Sequence, residues 1–185
     1  KAFHDAGIAV IMDVVYNHTN GTLTGSIYDS TVPGYFYRQN ADGSYSNGSG
    51  CGNETASDRV MVQKYMIDSL KHWVNDYHIN GFRFDLMGVH DKDTMKAIYD
   101  ELYKIDDSIL VYGEPWAGGT IALDGSKSAV SAGNGTTGNG YGAFDDDFRD
   151  ALKGTDGFPT YLLSSRRLFF PCRNFCCPIR TAYRV

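Results

Sequence analysis

The chain has 185 residues, a formal net charge of -5 and 42% hydrophobic residues, enough for one domain with a sizeable core. An acidic chain with no basic stripe excludes nucleic acid as a partner. No apolar run approaches the roughly 20 residues of a membrane-spanning helix.

Thirteen Tyr, ten Phe and two Trp suit a carbohydrate binder, because apolar sugar faces stack on aromatic rings, although most such residues serve the core. The first residues, Lys1-Ala2-Phe3, show neither Met nor a signal-peptide pattern, so a piece of a longer polypeptide is expected, with its compartment unassigned. Cys51 stands alone in a Gly-Asn-Ser loop, and Cys172, Cys176 and Cys177 crowd the tail without a His in zinc-ligand spacing. No metal site and no disulfide framework is expected from them.

Lys1 to Gly7 reads as the end of a helix. Ile8 to Val15 is an apolar run broken by Asp13, the pattern of a strand covered on both faces. Residues 19–56 are rich in Gly, Ser, Asn, Thr and Tyr and form a long loop excursion, the kind of segment that commonly carries function. Thr55-Ala56-Ser57-Asp58 matches a capping box at the start of a helix. Val62, Met66, Leu70, Trp73 and Tyr77 make its apolar face, and His78 to Gly81 ends it.

Phe82 to Leu86 is the next strand, and a helix over Asp91–Ile105 buries Met95, Ile98, Leu102 and Ile105. Ile109 to Gly113 is a strand, residues 117–140 a Gly- and Ser-rich loop, Tyr141 to Phe144 a fourth strand and Asp147 to Lys153 a short helix. Strands alternating with helices indicate an α/β fold with a parallel sheet. A partial (β/α)8 barrel is favoured over an open doubly wound sheet, because acids end successive strands and no Gly-rich phosphate loop is present.

Residues 158–185 contain five Arg and no Lys, Asp or Glu, which leaves 1–157 with twelve basic and twenty-two acidic residues. The expected division is therefore a partial catalytic barrel over 1–157 and an anomalous basic, Cys-containing tail over 158–185, either out of frame or an interaction tail.

Side chains alternate along a strand, so Arg83 and Asp85 share one face while Phe82, Phe84 and Leu86 take the other, under the helices. Arg83 would hold Asp85 ionised and oriented, as a nucleophile requires. Glu114, followed by Pro115 and beside Trp116 and Tyr112, would keep a proton through burial. One carboxylate nucleophile and one carboxylic acid about 5–5.5 Å apart are the parts of a retaining glycosidase. Asp13 could bond Arg83 and a sugar, and His18, with Tyr16 and Asn17, could contact a sugar hydroxyl. Asp145, Asp146 and Asp147 read chiefly as a helix N-terminal charge cluster. Asn17 or such acids offer oxygen donors, so calcium is admitted as a cofactor, although no spaced ligand loop supports it. Asn-x-Ser/Thr triplets begin at Asn17, Asn20, Asn47, Asn53 and Asn134.

Asp13-Val14-Val15-Tyr16-Asn17-His18, Gly81-Phe82-Arg83-Phe84-Asp85-Leu86-Met87-Gly88-Val89-His90-Asp91 and Tyr112-Gly113-Glu114-Pro115-Trp116 resemble, in order, three sequence regions of the alpha-amylase superfamily. Within it, Val32 to Arg38, Ser46 to Asn53 and Ala143 to Gly154 resemble type I pullulanases. The resemblance covers about 1–157. It implies roughly strands three to six of a (β/α)8 barrel and hydrolysis of alpha-1,6 branch links in pullulan, amylopectin or glycogen. It carries over Asp85 as nucleophile, Glu114 as general acid/base, Arg83 as the group orienting Asp85, His18 as a sugar ligand, Asp13 as strand-end support and Asn53 as a cleft residue. Tyr16 and Trp116 complete the expected substrate-binding set.

The sequence departs from the family in one respect that matters to activity. The His-Asp pair of the family's fourth region has no counterpart, since no His follows His90. The 185-residue chain alone is therefore expected to be inactive, and its open strand edges to favour poor folding and aggregation. Another amylase-like hydrolase, such as isoamylase or neopullulanase, and a non-catalytic carbohydrate-binding protein are the competing expectations.

Overall fold

A computed structural model describes residues 1–129, 138–145 and 149. The chain divides into a unit over Lys1–Phe144 and a second over Asp145–Val185. The expected helix over Asp147–Lys153 apart from Arg149, the tail from 158, and Asp146 and Asp147 lie outside the described residues.

The first unit is mixed α/β. Its strands β1 (Ile11–Val14), β2 (Gly81–Phe84), β3 (Leu110–Gly113) and β4 (Gly142–Ala143) form a parallel sheet in the order β1-β2-β3-β4. Helix α1 (Ala2–Asp5) precedes β1, α2 (Ile27–Thr31) lies in the excursion, α3 (Val60–Tyr77) connects β1 to β2, and α4 (Lys92–Tyr103) connects β2 to β3.

Burial follows the two periodicities. Val62, Met66, Leu70 and Val74 of α3 pack with Met95, Ile98 and Leu102 of α4 against Val14, Phe82 and Phe84 on one face of the sheet. On α3 the 3.6-residue period places Val74 in the core instead of Tyr77, which is exposed, and Ile105 lies exposed beyond the end of α4. Leu86 adopts a left-handed conformation (φ 42°) and leaves the strand, so Met87 takes the third buried position expected of it.

The expected capping box does not form. The Thr55 hydroxyl donates to the Tyr16 carbonyl at 2.6 Å, and Arg59, with no side-chain cap, precedes α3. Helix α4 is capped by Asp91, whose carboxylate accepts the Thr94 N–H at 2.8 Å.

The excursion is ordered by buried polar groups. Arg38 and Glu54 are both buried and paired at 3.4 Å. Arg38 also donates to Asp58 (2.9 Å), Ser57 (3.0 Å) and the Val89 carbonyl (2.8 Å). Glu54 accepts from the Ser46 hydroxyl, the Gly48 N–H and the Ala122 N–H, the last on the loop after β3. The two loops then meet backbone to backbone: Gly119 N–H donates to the Gly48 carbonyl at 2.9 Å. A Cβ on Gly118 would lie 2.2 Å from the Ser49 carbonyl oxygen, so only glycine fits there.

His90, between β2 and α4, is wholly buried against Phe84 (ring centroids 6.1 Å apart), and among the described residues neither ring nitrogen has a hydrogen-bond partner. Burial, with the nearby Arg38 charge, pushes its pKa down to about 3.

Two consequences are measurable by urea denaturation. Arg38→Ala leaves Glu54 buried without its cation and is expected to destabilise the chain by about 3 to 5 kcal/mol. The second concerns acid. An unfolded His near its ordinary pKa of about 6.5 takes a proton that folded His90 refuses, so stability is full above about pH 6.5 and falls as pH drops towards 3. From about pH 6.5 to about pH 4.5 the wild type is expected to lose about 1.4 kcal/mol per pH unit more than His90→Phe.

Candidate active site

The face of the sheet opposite α3 and α4 carries the charges. Asp13 pairs in register with Arg83, and Arg83 with Tyr112, so these three residues occupy one level across β1, β2 and β3. Asp85 and Glu114 continue the register one level higher, where Asp85 N–H donates to the Val14 carbonyl and Glu114 N–H to the Phe84 carbonyl, each at 3.0 Å. Two residues beyond Arg83 and Tyr112 respectively, both project on this same face.

Arg83 ties the three acids together. Its Nη1 donates to Asp13 Oδ1 at 2.8 Å and to Asp85 Oδ1 at 3.1 Å, and its Nη2 donates to Glu114 Oε1. Burial opposes the guanidinium charge, but bonds and attraction from Asp13, Glu114 and Asp85 outweigh it and hold the Arg83 pKa above its ordinary value. Glu114 is the least exposed of the acids, with 16% of its side chain accessible, and its second oxygen accepts the Leu86 N–H at 2.9 Å. The left-handed turn at Leu86 thus aims a backbone donor at the neighbouring strand.

The ring of Phe144, following β4, stands 5.6 Å from Tyr112 edge to face and 5.9 Å from the Arg83 guanidinium. Gly88 N–H donates to the Glu114 and Trp116 carbonyls, and a Cβ at Gly88 would lie 2.6 Å from the Trp116 carbonyl carbon. This close approach fixes the half-buried segment Glu114–Trp116 against the turn after β2.

The expected residues separate into three groups. Asp13, Arg83, Asp85 and Glu114 are brought together directly. His18 joins through Asn17: His18 Nδ1 lies 2.5 Å from Asn17 Oδ1, and Asn17 Nδ2 donates to the Asp85 carbonyl (2.8 Å) and to Asp85 Oδ2 (3.0 Å). Trp116 reaches the site through its backbone contact with Gly88.

Two residues do other work. The Tyr16 hydroxyl bonds Ser69 of α3 at 2.8 Å and its ring packs near Phe84, because it follows the parity of Val14 and turns to the helix side. Asn53, expected in the cleft, is buried and clasps Thr19, accepting its N–H at 3.0 Å and donating to its carbonyl at 2.8 Å. It supports His18 through the backbone next door.

Phe144 was not expected in this cluster, and Asn17 was expected beside His18 but not as a partner of Asp85. Asn17 and Asn53 are buried with both amide ends engaged, which removes two of the expected triplets as glycan acceptors. Among the described residues no group of three or more His, Cys, Asp or Glu side chains is arranged to hold a metal ion.

No family model matches the chain. It is 41% identical over 154 residues to the pullulanase of Bacillus subtilis (strain 168), covering 83% of this chain and 21% of that protein. Among solved structures, the pullulanase from Bacillus acidopullulyticus superposes with a TM-score of 0.79 at 48% identity, over 83% of this chain and 18% of that one. The pullulanase from Paenibacillus barengoltzii, in complex with maltohexaose and alpha-cyclodextrin, gives 0.77 at 45% identity, over 83% of this chain and 23% of that one. The chain thus spans about a fifth of the length of the relatives it matches, and at that extent it is a partial pullulanase-like region.

Proposed function

We propose that this chain contributes the nucleophile and the general acid/base of a debranching enzyme that hydrolyses alpha-1,6 links in pullulan, amylopectin or glycogen. In this assignment β1 to β4 are strands three to six of a (β/α)8 barrel, residues 1–157 belong to the catalytic domain, and the site stands at the C-terminal ends of the strands. The observation that supports it most is the shared face of Asp85 and Glu114 on adjacent, in-register parallel strands. Neighbouring strands lie about 4.8 Å apart, close to the carboxylate spacing of about 5–5.5 Å that retaining glycosidases use.

Asp85, held by Arg83 and Asn17, attacks the anomeric carbon and forms a glycosyl ester as the glycosidic bond breaks. Glu114 gives the departing oxygen a proton, then takes one from the water that cleaves the ester. A protonated Glu114 must loosen one of the two bonds that now point at its oxygens, from Arg83 and from Leu86 N–H, and an incoming sugar oxygen offers the replacement. The maltohexaose and alpha-cyclodextrin held by the Paenibacillus relative support an alpha-glucan as the ligand class.

The 185-residue chain itself lacks a His-Asp pair after Glu114 and is expected to release no reducing sugar from pullulan. The assignment is tested by grafting residues 1–144 into the Bacillus subtilis pullulanase in place of the matching segment and analysing the products from pullulan. Maltotriose is the expected product. In the graft Glu114→Gln is expected to lower kcat by at least about 100-fold, and Asp85→Asn by more. Arg83→Lys is expected to lose most activity too, since one ammonium cannot span the three carboxylates that the guanidinium fork reaches. A folded graft without maltotriose release, or one that keeps its rate with Asn at 85, would refute the assignment.

A further inference from the structure

Asn17 occupies a place where its two ends have no freedom of choice. It is fully buried, and one end of its amide faces two oxygens of Asp85, the backbone carbonyl at 2.8 Å and the carboxylate Oδ2 at 3.0 Å. Both are acceptors, so the group facing them must be the NH2. The reverse orientation would set an amide oxygen against two acceptors and strand buried groups without partners. Oδ1 is therefore the end that faces His18 Nδ1 at 2.5 Å. An amide oxygen only accepts, so the proton of the imidazole lies on Nδ1.

A neutral imidazole has one N–H, which leaves Nε2 with its lone pair. Among the described residues Nε2 has no hydrogen-bond partner, and His18 is half-buried next to the loop that Asn53 clasps. The chain His18–Asn17–Asp85 thus leaves a fixed acceptor nitrogen at one end and a held carboxylate at the other.

We propose that Asn17 is a positioning residue that sets the His18 tautomer while it clasps Asp85, so that His18 presents an acceptor to the ligand. The matching ligand group is a hydroxyl that donates. A carboxylate or an ether oxygen at the same place meets a lone pair and is rejected. At that contact His18 selects a sugar hydroxyl over a carboxylate, a point that rests on the glucan assignment above, whereas the tautomer does not.

The test uses the full 185-residue chain labelled with nitrogen-15, at about pH 8.5, well above the ordinary imidazole range near 6.5. Long-range proton–nitrogen correlations report which ring nitrogen carries the proton. The wild type is expected to show His18 protonated at Nδ1. Asn17→Ala is expected to revert to the Nε2–H form that free histidine prefers. Mainly Nε2–H in the wild type, or Nδ1–H retained in Asn17→Ala, overturns the proposal, and the wild-type spectrum decides alone if the alanine variant does not fold.

Maltohexaose supplies the ligand arm. It is expected to shift the Nε2 resonance with Nδ1–H unchanged. Transfer of the proton to Nε2 when maltohexaose binds would overturn the hydroxyl assignment. A chain with Nδ1–H that does not respond to maltohexaose keeps the tautomer and removes the hydroxyl contact, while the glucan assignment is decided by the graft.

Discussion

One guanidinium holds the upper edge of this sheet together. Asp13 on β1, Asp85 after β2 and Glu114 after β3 would repel one another, and Arg83 bonds all three from the level below. Charge-assisted bonds of this kind are the strong ones in proteins, and a planar fork fixes direction as well as distance. One cation thus serves three carboxyl groups. Arg83 also joins three successive strands at their C-terminal ends, which sets the relative height of the two acids.

Beneath that cluster lies a second polar system with a different task. Arg38 and Glu54 tie the excursion to the turn after β2 through Val89, to the loop after β3 through Ala122 and, by way of Ser57, to the Asp91 cap of α4. A buried ion pair of this kind gains little stability relative to an apolar contact, but it tolerates only one arrangement of its partners. In residues 19–56 it works beside the buried rings of Phe36 and Tyr37, which anchor the same segment in the core.

What could be read from the residues follows from how local the cause is. Strand parity placed Arg83 and Asp85 together and Phe82 and Phe84 under the helices, since alternation needs only neighbours in sequence. The spacing of three and four found both long helices. Failures came where a distant partner decided the outcome. Thr55 matched a helix cap but found the Tyr16 carbonyl instead, and Asn53 resembled a cleft residue but found Thr19. Tyr16 reads as a neighbour of His18, yet its ring belongs to α3. Asn17 was read beside His18, but its bond to Asp85 was not, because an amide reveals its role only by the two groups it faces.

The meeting of Gly118 with Ser49 and of Gly119 with Gly48 has a consequence for how such a site can diversify. Side chains can grow or shrink to absorb a change in a neighbour, but two bare main chains in contact cannot. The segments around residues 46–52 and 117–122 thus behave as one part with a common length. An insertion in either one alone would pry the pair open, so new specificities at this rim would have to arise by exchanging both segments at once.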